Sequence, residues 1–102
     1  MEHRWKERCP VSLDVIVRGR DGLTLQGRTR DISPDGMFIR LDCQSVSMNT
    51  VVEIEIPHRG RLCGWVLPAG DEGIGVMFRS IGSQERRLLD QLLAGAARPS
   101  ER

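Results

Sequence analysis

Apolar and polar positions alternate along most of this chain. Val11, Leu13, Val15 and Val17 are separated by Ser12, Asp14, Ile16 and Arg18, the period-two pattern of a half-buried strand with one apolar exception. This predicts a first strand over residues 11–18, and Gly19-Arg20-Asp21-Gly22 supplies the turn after it. A second strand over Leu23–Arg30 follows, with Leu23 and Leu25 inward and Thr24, Gln26 and Arg28 outward. The run Asp31-Ile32-Ser33-Pro34-Asp35-Gly36 turns it into a third strand, Met37–Leu41. The polar stretch Asp42–Asn49 is the longest irregular segment, with room for a short turn or bulge. Val52, Ile54 and Ile56 interleave with Val51, Glu53 and Glu55 in a fourth strand. His58–Arg61 turns into a fifth, Leu62–Leu67, and Pro68–Gly73 into a sixth whose inward set is Ile74, Val76 and Phe78. Six short strands at this spacing predict an all-β closed barrel.

Only the tail changes period. From Ser83, read as the N-cap with Glu85 in the first turn, Leu88, Leu89, Leu92, Leu93 and Ala96 recur at helical spacing until Gly95 and Pro99 mark the end. Such a helix is marginal alone and must lay its leucines on the barrel or on a second subunit. The expected organisation is a flexible arm over residues 1–10, a barrel with its C-terminal helix over 11–97, and a disordered tail over 98–102.

Composition narrows the function. At 102 residues the chain is one domain, and 15 Lys+Arg against 14 Asp+Glu leave a net charge of +1. That balance gives no general electrostatic case for coating DNA or a membrane surface, so any anion site must be local. Two Trp, two Phe and no Tyr leave little stacking surface for single-stranded nucleic acid. The charged N-terminus and the lack of a long apolar run point to a cytoplasmic protein without membrane insertion. Cys9, Cys43 and Cys63 are odd in number and widely spaced, so they read as small apolar residues rather than as a disulfide frame or zinc site.

Two motifs carry the candidate chemistry. Arg4-Trp5-Lys6-Glu7-Arg8 places two guanidiniums four residues apart, each able to fork onto phosphate oxygens or onto guanine N7 and O6. In Asp31-x-Ser33-x-x-Gly36, a carboxylate can accept from the N1–H and N2–H₂ edge of guanine, a hydroxyl follows, and the glycine lets backbone come close. Together they describe a pocket for a guanine nucleotide. Each has an ordinary alternative: the first as a solvated charge run, the second as plain turn chemistry. Trp65 fits either the core or a stacking wall, and His3 precedes the arginines closely enough to touch phosphate. Catalysis fits poorly. No nucleophile elbow, carboxylate pair or P-loop is present, and Gly73-x-Gly75 enters a strand rather than a helix.

In this order, and on this strand background, the motifs resemble the PilZ domain family, receptors for the bacterial second messenger cyclic di-GMP. Arg4 and Arg8 match the family's Arg-x-x-x-Arg, and Asp31, Ser33 and Gly36 its Asp/Asn-x-Ser-x-x-Gly. Arg61–Val66 and Gly73–Phe78 look like its last two barrel strands, and the leucine helix sits where PilZ domains place theirs. The resemblance implies a six-stranded antiparallel PilZ-type β-barrel with a C-terminal helix. It also implies cyclic di-GMP as ligand, with no cofactor, bound by Arg4, Arg8, Asp31, Ser33 and Gly36; Trp65 and His3 are further candidate contacts by their own chemistry, and the lack of catalytic motifs predicts a non-enzymatic domain. Ordering of the arm would then transmit the signal to a separate effector protein, the domain being a monomer or homodimer. The alternative is a ligand-independent PilZ-like adaptor acting through protein contacts.

Overall fold

The period-two segments are strands and the helically spaced tail is a helix. The computed structural model describes residues 8–20, 22–41, 46, 49–67 and 71–97. It contains β1 (Cys9–Pro10), β2 (Asp14–Arg18), β3 (Thr24–Ile32), β4 (Gly36–Arg40), β5 (Val51–Ile56), β6 (Gly60–Leu67), β7 (Gly73–Arg79) and α1 (Ser83–Ala97). His3, Arg4, Trp5, Cys43, Pro68, Pro99 and the tail 98–102 lie outside the described residues, as does most of the stretch from Asp42 to Ser47.

Strand order β1-β3-β2-β5-β6-β7-β4, with a further β3–β4 pairing, closes β2 to β7 into a six-stranded antiparallel barrel and leaves β1 as one added strand. Inside it, Val15, Val17, Met37, Ile39, Ile54, Leu62, Val66 and Ile74 form one core cluster. Burying each such side chain stabilises the fold by about 1.5–3 kcal/mol. Leu88, Leu89 and Leu92 of α1 join that cluster and Leu93 packs against it, so the helix lays its leucine face on its own barrel.

Several boundaries differ from the sequence reading. The first strand begins at Asp14 rather than Val11, because residues 11–13 are held by Thr29 instead of a regular ladder. The Thr29 hydroxyl accepts from the amide of Leu13 at 2.9 Å and donates to the carbonyl of Val11, while its own amide donates to Leu13 O at 2.9 Å. The second strand runs to Ile32 rather than Arg30, since β1 pairs Cys9 with Ile32 and Pro10 with Asp31. Pro10 fits there because an edge strand tolerates a missing N–H. The N-cap of α1 is Gly82, not Ser83: Arg86 N donates to Gly82 O at 2.9 Å as the first helical bond, and Glu85 Oε1 accepts from Gly82 N at 3.0 Å. The helix also continues past Gly95 to Ala97.

Candidate ligand-binding site

A bulge builds this site. Along β3 the alternation places Gly27 and Thr29 inward and Gln26 and Arg28 outward, which carried forward would aim Asp31 into the barrel. Between Thr29 and Asp31 the β3–β4 register slips: Thr29 faces Ile39 and Asp31 faces Phe38, so Arg30 is the extra residue. Thr29 and Ile32 stay buried, while Arg30 and Asp31 both turn outward. Asp31, expected in the turn, is therefore a strand residue whose position is fixed by its neighbours on both sides.

Its carboxylate is gripped by two arginines. Arg8 Nε donates to Oδ1 at 2.6 Å and Arg30 Nε donates to Oδ2 at 2.8 Å. The β1 register explains the first: with Pro10 opposite Asp31, Arg8 comes onto the same face as a diagonal neighbour. Burial of the Asp31 side chain pushes its pKa up, but the hydrogen bonds from Arg30 and Arg8 and the charges of both outweigh that and hold it below the ordinary 3.8. Two guanidiniums around one carboxylate leave this corner with a local positive charge.

Ser33 and Gly36 form the turn beyond it. Ser33 is buried, its amide donates to Gly36 O at 2.8 Å, and its Oγ accepts from the amides of Asp35 and Gly36, each at 3.2 Å. The hydroxyl thus fixes the path between β3 and β4 from beneath. At Gly36 a Cβ would stand 2.1 Å from the carbonyl oxygen of Val76. The close approach of β4 to β7 demands glycine here.

Trp65 stands apart from Asp31 but on the same side of the sheet. It is 38% exposed, so it belongs to the outer face and not to the core. It pairs with Met77, itself 47% exposed, and Met77 pairs with Gly36. Two strand spacings separate Trp65 from Gly36, about 10 Å. The guanidinium of Arg79 lies 5.3 Å from the Trp65 ring. Arg4 and His3 fall outside the described residues.

The sequence reading missed Arg30 and Phe38. Phe38 alternates with the core residues Met37 and Ile39, so its ring is on the outer face, yet it is buried, with the Arg30 guanidinium over it at 3.9 Å from the ring centre. The available signal was Arg30 directly preceding the acidic motif. A cleft of about 600 Å³ between α1 and strands β5 and β6, lined by Arg59, Arg61, Cys63 and Arg87 among others, shares no residue with the Asp31 site. Among the described residues no group of His, Cys, Asp or Glu is placed to hold a metal ion, and no helix is long and apolar enough to cross a membrane.

Known structures share this architecture. The PilZ domain of CeSA from a cellulose-synthesizing bacterium superposes with a TM-score of 0.74 at 23% identity, covering 87% of this chain and 96% of that one. The PilZ domain of Escherichia coli YcgR with c-di-GMP gives 0.70 at 14% identity, covering 93% and 92%. MrkH of K. pneumonia gives 0.64 at 16%, covering 94% of this chain and 49% of that one. At these identities the likeness is one of fold. Among curated proteins none matches the sequence significantly. The sequence model of the PilZ domain matches residues 2–95, spanning both motifs, the barrel and most of the helix, and the chain therefore belongs to the PilZ domain family.

Proposed function

We propose that this domain binds cyclic di-GMP on the outer face of β3 and β4 and passes the signal to a separate protein. One observation carries the reading. Arg8 and Asp31, 23 positions apart, meet at 2.6 Å, joining the arginine motif to the acidic motif on one exposed corner. Family membership and the YcgR PilZ domain with its c-di-GMP supply the ligand.

In this reading Asp31 exchanges its contact with Arg8 for the N1–H and N2–H₂ donors of guanine, an edge that adenine cannot offer because its N1 carries no hydrogen. Arg4 and Arg8 then engage the two phosphodiester charges or lie flat on a base. Ser33 and Gly36 hold the turn beside the base, Trp65 walls the far side with its exposed ring, and His3 stands next to the arm's arginines. The arm closes over the nucleotide, and the altered surface is what a partner protein engages or releases. No covalent step is involved: the domain is a cytoplasmic receptor module, monomeric or homodimeric, and not an enzyme.

Thermal unfolding tests this. At a hundredfold excess over the dissociation constant, cyclic di-GMP should stabilise the wild type by about 2.7 kcal/mol. Arg4→Ala and Arg8→Ala should lose that shift while the unliganded variants unfold near the wild-type temperature. A wild type that cyclic di-GMP fails to stabilise contradicts the reading, and a stable protein partner found for that same unresponsive domain would favour the adaptor alternative.

A further inference from the structure

Arg30 carries a guanidinium to which neither motif gives a role, and a backbone bulge and two contacts fix where it points. The bulge turns it onto the face of Asp31. The Phe38 ring, 5% exposed, lies under it at 3.9 Å. Its Nε donates to Asp31 Oδ2 at 2.8 Å. Only one of the five N–H donors of an arginine is used in that bond, and Nη1 and Nη2 make no hydrogen bond among the described residues. The side chain is still 42% exposed. An arginine already held on a ring and a carboxylate loses little further rotamer freedom when it meets a ligand, unlike one on an arm.

We infer that Arg30 is a third arginine of the ligand site, whose Nη groups fork onto a phosphodiester of the bound nucleotide while its Nε keeps Asp31 turned to the guanine edge. This deepens the cyclic di-GMP reading and rests on it. The chemistry is consistent within one carboxylate: each oxygen of Asp31 has a second lone pair, so Oδ2 can keep Arg30 while the guanine donors are accepted. Arg8, 47% exposed and on the chain's leading segment, is the partner that leaves. Arg30 is the one that stays.

Calorimetric titration with cyclic di-GMP at low and high salt, on the wild type, Arg30→Ala and Arg30→Lys, tests this, with thermal unfolding of each free protein as the folding control. Arg30→Ala should weaken binding at least tenfold, and its affinity should depend less on salt than the wild type's, since one charge contact with the ligand is gone. Arg30→Lys should restore the salt dependence but only part of the affinity, because an ammonium keeps the charge and loses the fork. Binding by Arg30→Ala within twofold of wild type overturns the inference. So does weaker binding with unchanged salt dependence, which would reduce Arg30 to a support for Asp31. If the wild type itself fails to bind, the cyclic di-GMP reading falls and this inference with it, whereas a binding wild type with an unaffected Arg30→Ala removes the Arg30 role alone.

Discussion

The Oγ of Ser33 and the amide of Gly36 stand 3.2 Å apart beneath the turn that joins β3 to β4. Both residues are buried, so no water stands ready to replace the bond. Ser33→Ala should leave a buried N–H without a partner and cost about 1–3 kcal/mol. Urea unfolding should show this as a lower midpoint with an unchanged slope.

Glycine substitutions should separate by sign. At Gly36 an added Cβ meets the Val76 carbonyl oxygen at 2.1 Å, a backbone atom that cannot swing aside. Gly36→Ala should therefore destabilise by about 1–3 kcal/mol. At Gly95, on α1, nothing lies within 4 Å of the added atom. Gly95→Ala should stabilise by about 0.5–1 kcal/mol, as expected for a glycine removed from a helix. Denaturant unfolding of the two variants checks both directions. It also determines how a loss of binding in Gly36→Ala is interpreted, since a shifted β4 would produce one without any lost contact.

Asp31 should make stability depend on acid. Its pKa is lower in the folded state than the ordinary 3.8, so the ionised form favours the fold. That contribution is complete above about pH 4 and disappears as the pH falls through the folded value. With its arginine partners partly exposed, the contribution is modest, on the order of 1 kcal/mol or less. Asp31→Asn should unfold more easily than wild type at pH 7, and the gap should close toward pH 2. A gap of equal size at both ends would mean that the ion pairs are not its source.

Much of this molecule is legible in its sequence because a barrel strand has to alternate. Val52, Ile54 and Ile56 face the core where the period-two pattern puts them, and Leu88, Leu89 and Leu92 do so on the helix. What the pattern cannot carry is pairing. The bulge at Arg30 arises from β3 and β4 together, two residues opposing one, and nothing within Arg28-Thr29-Arg30-Asp31 marks it. The same holds for β1, since Cys9 and Pro10 have no strand signal of their own and are strand only because Ile32 and Asp31 lie opposite. Both features bear on the site: the first turns Asp31 outward, and the second delivers Arg8 to it. The motif spacing pointed to the partners, but the irregular pairing that brings them together is tertiary. Arg30 and Phe38 went unseen for that reason.

In the proposed complex Asp31 reads a guanine edge. Isothermal titration of the wild type and of Asp31→Ala with cyclic di-GMP and with cyclic di-AMP tests it directly, because the two ligands share their phosphodiesters and differ in the edge that meets the carboxylate. The wild type should bind cyclic di-GMP and take cyclic di-AMP at least tenfold more weakly, as the loss of a hydrogen bond to a charged group implies, and the gap should largely close in Asp31→Ala. Equal wild-type affinity for both ligands, or a preference for guanine that survives in Asp31→Ala, would contradict it.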